Sequence, residues 1–333
     1  MTITSLGDLA SAFILRRHSA EAKTQIQTLS SELTTGVAQD RGAHLSGNLA
    51  PLAGIENTLK QLGGYRSAAL EMGMVAGALQ IALQTIGTHA SDLSTSLLAA
   101  SSAASEARIA TVAEDAVLRL DAVVSALNTR FGDRSLFAGN TPNQPAMLGS
   151  TDLLDLLQGV VAGAQSAEEA ETLVTDWFDD PAGFESQAYL GGDPLAKIGI
   201  AAGESADLKV TALDPAVRDV LKALVLPALI TRGLLAGLPV GQADLAKRAG
   251  EHLLEVQSPW TDLSARLGTV EAQLDAALTR NSAETSGLEI ARADLIGVDP
   301  FETATRLEAT QTQLETIYAL TARMQRLNLV DYL

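Results

Sequence analysis

Apolar residues recur every three or four positions through both ends of the chain, a pattern that predicts amphipathic helices. The first stripe extends to about Thr35, and Gly36 follows it as a helix-ending residue. A second helix is predicted to start near Leu52, with Gly63-Gly64 as a candidate interruption, and to continue to about residue 127. A third occupies residues 263–295.

The two inner stripes, residues 79–127 and 263–295, alternate gaps of four and three, as coiled-coil seams do. Many seam positions are Ala, which brings helices close together. Asn281 and Glu284 interrupt the second stripe, and polar seam residues of this kind fix register at a cost in stability. The sequence therefore predicts an antiparallel pair of long helices.

The C-terminal helix has a strong start signal, because Asp299 can cap it, Pro300 suits the first turn and Glu302 completes a capping box. Its stripe contains Thr as well as Leu and Ile, so the helix needs partners to be stable. We predict that both terminal helices form an assembly interface, made by Leu6, Leu9, Phe13, Ile26, Leu29, Leu33, Leu307, Leu314, Ile317, Thr321, Met324 and Leu327.

The middle of the chain has a different pattern. Residues 195–201 and 207–213 alternate around a Gly-containing turn and predict a β-hairpin. Residues 214–226 predict a helix that starts with Asp-Pro and runs to Pro227. The apolar stretch 219–241 is interrupted by two Pro and reads as a buried helix pair, with an uncharged run too short to span a membrane.

These patterns predict a mainly α fold: a long antiparallel, coiled-coil-like helical rod built from the N- and C-terminal segments, with a small mixed α/β insert. Three regions are expected. They are the terminal assembly helices (1–50 with 298–333), a long-helix rod domain (51–145 with 259–297) and an inserted outer domain (146–258).

Charge and composition narrow the possible functions. The net charge is −17 and only 4% of residues are aromatic, so nucleic acids and anionic membranes are unfavourable partners. Residues 151–215 hold 13 acidic and 2 basic residues, which predicts an acidic, solvated surface on the insert. The chain has no Cys, and its start lacks the basic lead and long apolar core of a cleaved secretory signal.

No motif for chemistry is present in the sequence. It contains no phosphate-binding Gly-rich loop, and its four His are not at metal-ligand spacing. The acidic stretch "DWFDDPAGFE" (176–185) lacks the ligand spacing of a calcium loop and reads as a solvated turn. We therefore expect no enzymatic activity, cofactor or metal.

Three segments resemble the bacterial flagellins and the flagellar hook–filament junction proteins (hook-associated protein three). They are "LSSELTTG" (29–36) with the following "DRGAHLSG", "NTRFGDRSLFAGNTPNQPA" (128–146) and "QLETIYALTARMQRLNLVDYL" (313–333). The second is similar to the junction-protein signature, although Asp133 precedes Arg134 and Ser135 takes the usual aromatic place. Residues 37–50 do not match the stricter stretch of flagellins, and the insert carries only a loose pattern.

The resemblance implies a structural protein that joins hook to filament by self-assembly of its terminal helices. It implies lateral copies, a neighbouring junction protein or hook, flagellin and an export chaperone as partners, and an extracellular location without a cleaved signal. The junction-type loop is either a subunit contact or a tight loop with a buried Phe, and its marked residues are Gly132, Arg134, Leu136, Phe137 and Gly139. The alternatives are a flagellin or a non-flagellar secreted helical protein.

Overall fold

The structure, a computed structural model, describes residues 6–102 and 105–326. It is mainly α-helical with two small antiparallel strand pairs, as the sequence predicted. The elements are α1 (Leu6–Thr35), α2 (Arg41–His44), α3 (Ala50–Ser102), α4 (Glu106–Leu127), β1 (Arg130–Phe131), β2 (Arg134–Ser135), α5 (Ser150–Val160), α6 (Ala167–Asp179), a π-helical turn (Pro181–Glu185), β3 (Ile198–Ala201), β4 (Glu204–Ala206), α7 (Pro215–Ile230), α8 (Pro239–Glu255), α9 (Gln257–Ile296) and α10 (Pro300–Arg326).

The chain divides into two compact units. Unit 1 comprises Met1–Leu62 and Ala283–Leu333, and unit 2 comprises Gly63–Ser282. The helices α3 and α9 contribute to both units, because each continues across the boundary. The three-region division expected from the sequence stays a prediction.

The sequence predicted one continuous helix over residues 52–127, and this prediction was wrong. The helix continues through Gly63 and Gly64, but α3 ends at Ser102 and α4 starts at Glu106. The Arg119 guanidinium lies 3.3 Å from the Asp92 carboxylate, so α4 runs back along α3. The Ser102 hydroxyl donates a hydrogen bond to the Ala99 carbonyl in the last turn of α3. Because such side-chain bonds compete with the backbone hydrogen bonds of a helix, Ser is unfavourable in helix interiors. The apolar three-four spacing is the same before and after this reversal of chain direction, so the sequence pattern did not reveal it.

The predicted seam of α3 lies in the core of unit 2, where its members from Leu79 to Ala100 are buried. At the start of α9 the Trp260 indole N–H donates to the Leu83 carbonyl (3.2 Å). Asn281 is also buried, but its amide donates to the Ile200 carbonyl of β3 (2.7 Å). The polar seam residue thus holds the β-hairpin, whereas Glu284 is exposed.

The β-hairpin exists, but its second strand was placed too late in the sequence. The strands β3 and β4 are joined by a tight turn in which Gly203 has φ +75°, a value that favours Gly. Residues 207–213 form no strand. Their alternation comes from packing instead, because Leu208 and Ala212 are buried and the Ala212 N–H donates to the Phe137 carbonyl (3.1 Å).

The buried helix pair predicted over 219–241 is only half present, because this stretch holds the end of α7 but just the first three residues of α8, where Val240 is exposed. Pro227 also does not end α7. The helix continues to Ile230 with Pro227 inside it, and the break falls at residues 231–238. Every residue from Val220 to Leu229 is buried. Packing of this extent offsets the roughly 3 kcal/mol that an interior Pro costs a helix.

The acidic stretch at residues 176–185 is not simply a solvated turn. Phe178 and Phe184 stack with their ring centroids 4.9 Å apart, and both side chains are buried. The buried Lys222 ammonium binds the Asp179 carboxylate at 2.9 Å and the Asp219 carboxylate at 3.1 Å. Part of the insert's acidic charge is therefore paired inside unit 2.

Within the described residues, one helix, α3, is long and apolar enough to cross a membrane by length and composition alone. Its most apolar window is 44% buried inside the structure, so one side of that window packs in the core. A buried core helix meets the same criterion, and α3 has that role in unit 2.

Candidate assembly surface

The two terminal helices pair with each other in unit 1, where α1 packs against α10. A short β-bridge joins their inner ends, since the Ala38 N–H donates to the Ile296 carbonyl (2.9 Å) and the Val298 N–H donates to the Gly36 carbonyl (3.0 Å). The Asp299 carboxylate then accepts from the Phe301 and Glu302 N–H groups and starts α10. The predicted N-cap is confirmed.

The seam between α1 and α10 is thin and partly polar. Its buried positions on α10 are seven residues apart, at Thr303, Thr310 and Ile317. The Thr303 hydroxyl donates to the carbonyl of the cap residue Asp299 and the Thr310 hydroxyl to the Arg306 carbonyl, each at 2.8 Å, so both of these hydroxyls are paired. The buried positions on α1 are Ala22 and Leu29. A seam of small and polar residues gains little from burial, since a fully buried Leu or Ile contributes about 1.5–3 kcal/mol.

The structure divides the predicted interface residues into two groups. Those in the seam are buried or half-buried: Ile26, Leu29, Leu307, Leu314, Ile317 and Thr321. Phe13 (69% exposed), Leu33 (38%) and Met324 (39%) are instead exposed. The side chains of Leu6 and Leu9, and all of Leu327, lie outside the described residues.

Further apolar side chains are exposed on the same helices and escaped the sequence analysis. Ile14 is 52% exposed on α1, and Tyr318 and Leu320 are each 47% exposed on α10. Tyr318 and Leu320 flank the predicted stripe on opposite sides, and Ile14 is not part of the stripe on α1, so a search for one stripe per helix passes over them. Leu320 also lines an open concavity of about 470 Å³ with Thr316, Ala319, Ala322 and Arg323. We use outer apolar face of unit 1 as the name for the exposed side chains Phe13, Ile14, Tyr318, Leu320 and Met324, which are distributed around the two helices and do not lie on one side of them.

One polar contact links α1 and α10 beside this face. The Lys23 ammonium lies 5.6 Å from the centroid of the Tyr318 ring, a cation–π arrangement. A hydrogen bond with Lys23 lowers the pKa of the Tyr318 hydroxyl from its ordinary value, and a hydrogen bond with Ser19 has a smaller effect in the same direction. Lys23 therefore orients the Tyr318 ring at the edge of the outer apolar face.

The junction-type loop belongs to the framework of unit 2. The Asn128 amide donates to the Met147 carbonyl and its oxygen accepts from the Met147 N–H, both at 3.0 Å, which closes the loop at its base. Leu136 and Phe137 are buried, in agreement with the tight-loop alternative. Gly132 sits at the exposed tip between β1 and β2, and Arg134 is half-buried beside it.

Tyr189 supports the far end of this loop. Its hydroxyl donates to the Gly192 carbonyl (2.7 Å), and the Gly192 N–H donates to the Ala138 carbonyl (3.0 Å). Burial raises the pKa of Tyr189 to about 12, and repulsion from Asp193 and Glu185 adds to the shift. A hydrogen bond with Thr211 opposes it.

We expect this phenol to make unit 2 sensitive to alkaline pH. An unfolded Tyr ionises with a pKa of about 10, so between about pH 10 and 12 the unfolded chain loses a proton that the folded chain keeps. The Tyr189 contribution is therefore complete below pH 10 and declines as the pH rises towards 12. Urea unfolding of wild type and Tyr189→Phe across this range measures it, and a constant stability difference between them contradicts the expectation.

Within the described residues no three His, Asp or Glu side chains are grouped to hold a metal ion. The expectation of no metal or catalytic site remains a prediction from sequence.

Two comparisons relate this chain to known proteins. Residues 256–333, which include α9 and α10, match the family model of the bacterial flagellin C-terminal helical region. The fold is similar to a Vibrio parahaemolyticus structure described as a flagellar hook-associated protein, with a TM-score of 0.50 and 13% identity over 73% of this chain and 95% of that one. No curated protein sequence matches. The C-terminal helices are thus flagellin-like in sequence, and the structural likeness extends to the fold alone.

Proposed function

We propose that this protein is a structural subunit of the bacterial flagellum that assembles through α1 and α10. The observation that carries the proposal is the flagellin-type match over residues 256–333, because it falls on helices that leave apolar side chains exposed after pairing. A seam that is weak on its own, together with apolar side chains left exposed on both helices, suits a helix pair that is completed by neighbouring copies. On this proposal the protein is extracellular and has a structural role, not an enzymatic one.

The finer proposal is a hook–filament junction protein, and flagellin is the second candidate. The "NTRFGDRSLFAGN" loop supports the junction protein, and the departure of residues 37–50 from flagellin supports it as well. A junction subunit needs one face for the hook or a neighbouring junction protein and another for the filament, with lateral contacts between copies. An export chaperone would be a further partner.

We expect the purified protein not to grow long filaments by itself, because a junction subunit meets different proteins above and below. Negative-stain images of the protein with flagellin seeds, and separately with hook fragments, provide the measurement. Attachment to hook fragments without extension agrees with the junction proposal. Micrometre-long filaments of the protein alone support flagellin, and no association under either condition contradicts the flagellar proposal.

The outer apolar face can be tested by Leu320→Ser. This side chain is 47% exposed, so the isolated protein should keep its helicity and its melting curve, with a change in stability of about 0.5 kcal/mol or less. Incorporation into flagellar assemblies should fall strongly. Leu254→Ser is the matched control, since that leucine is also 47% exposed but lies on α8 of unit 2. Equal incorporation of both variants would remove the outer apolar face from the interface.

A further inference from the structure

The helix α3 has a second apolar face in unit 2, opposite its buried seam. Leu70 is 47% exposed, Met74 55% and Ile81 67%. Their offsets of four and eleven residues from Leu70 place them along one side of a helix, whereas Leu79, Leu83 and Ile86 point into the core. This outer face explains why α3 is apolar enough to resemble a membrane span.

The outer face contains a notch. Gly73 and Gly77 are four residues apart, and an added Cβ at either position would have no atom within 4 Å. Two Gly at this spacing form a flat strip on which another helix backbone can approach closely. With Leu70 and Met74 beside them, they make a four-residue hole of the kind that receives one side chain of a facing helix.

The charge of the face favours another copy of this chain over a charged partner. Between residues 67 and 88 the only Asp, Glu, Lys or Arg is Glu71. Two copies with a net charge of −17 repel each other, and the α3 face adds little to that repulsion because it carries so little charge of its own.

The size of the apolar face on α3 also favours a contact with another copy of this chain. Three half-exposed side chains can bury only a few hundred Å², compared with the roughly 800 Å² that each partner buries in a stable complex. A contact this small is too weak to hold a separate partner, but it adds usefully when other surfaces already bring copies together.

We propose that the notch on α3 receives Leu118 from α4 of a second copy. Leu118 is 70% exposed and lies in the middle of a 22-residue helix, on the side away from the buried Leu120 and Val123. Of the large apolar side chains on α4 that the structure describes, it is the one that protrudes. Because the two surfaces differ, the contact is head-to-tail and can repeat through an array. This inference rests on the proposed function, since unit 1 must first bring the copies together.

Disulfide trapping can test the contact cleanly, because the natural chain has no Cys. Met74→Cys and Leu118→Cys proteins are purified separately, mixed, assembled on hook fragments and oxidised with diamide. We expect several-fold more cross-linked dimer from this mixture than from either protein alone. Glu71→Cys mixed with Leu118→Cys is the control, since Glu71 is exposed on the same helix but lies off the apolar face.

Each outcome decides the proposal. Dimer from Met74→Cys alone means that two α3 faces meet, which overturns the assignment to Leu118. Assemblies without cross-linked dimer, or with equal yield from the Glu71→Cys control, overturn the contact and leave the proposed function standing. Failure of unsubstituted protein to associate with hook fragments or flagellin seeds overturns both. Thermal melting of each Cys variant confirms that it is folded.

Discussion

Leu253→Asp is expected to unfold unit 2. The Leu253 side chain is 1% exposed, on the face of α8 whose Gly250 packs against Leu97 and Leu98 of α3. Its removal forfeits about 1.5–3 kcal/mol of apolar burial, and a buried, unpaired carboxylate costs several kcal/mol more. The sum approaches the whole stability of a typical domain, about 5–15 kcal/mol.

The next residue in the chain provides the control for this change. Leu254 is 47% exposed on the same helix, so Leu254→Asp should change stability by about 0.5 kcal/mol or less. Both Trp of the protein, Trp177 and Trp260, lie in unit 2, so their fluorescence during urea unfolding reports on this unit. A cooperative, near-wild-type transition for Leu253→Asp would show that the core tolerates the charge and would contradict the assigned packing.

Gly139→Ala is expected to lower the free energy of unfolding of unit 2 by about 3–5 kcal/mol, the sum of a left-handed backbone penalty and a severe overlap. Gly139 has φ +59°, and an added Cβ would lie 2.3 Å from the Asp193 carbonyl oxygen and 2.6 Å from that of Gly192. Relief requires the loop to move, which breaks the hydrogen bond from the Asn140 N–H to the Asp193 carbonyl (2.8 Å).

Gly132 separates the two causes. Its φ of +61° matches that of Gly139, but an added Cβ would have no atom within 4 Å. Gly132→Ala should therefore show the backbone penalty alone, about 1–2 kcal/mol. Urea unfolding followed by Trp fluorescence measures both variants. Equal losses for the two would mean that the contact with residues 192 and 193 does not constrain the loop.

The candidate assembly surface was partly predictable from sequence. Gaps of three and four identified the helix faces that carry Leu29 and Ile317, and both are buried in the α1–α10 seam. The same rule also selected Phe13, which is exposed, and passed over Leu320. Periodicity assigns a residue to a face of its own helix, but it does not say how wide a strip of that face the partner helix covers.

The reversal between α3 and α4 and the bounds of the β-hairpin also could not be predicted from local sequence patterns. The stripes before and after residues 103–105 have the same rhythm, so the sequence could not distinguish one long helix from two that fold back on each other. At Pro227 local preference predicted a helix end, yet extensive burial of α7 keeps the helix intact to Ile230. In residues 207–213 alternation indicated a strand, but those side chains alternate because some pack in the core without strand pairing.

The sequence by itself determined the mainly helical class, the helical termini, the Asp299 cap and the flagellin-like character of the C-terminus, because these depend on local spacing and residue type. Tertiary structure alone decided that Leu253 is buried and Leu254 exposed, and that a side chain would overlap its neighbours at Gly139 but not at Gly132. It also decided where α3 carries a second apolar face. Those properties depend on residues distant in the chain, such as Asp193 opposite Gly139 and Leu97 beneath Gly250. Local pattern holds no information about such contacts, because they exist only after the helices have packed together.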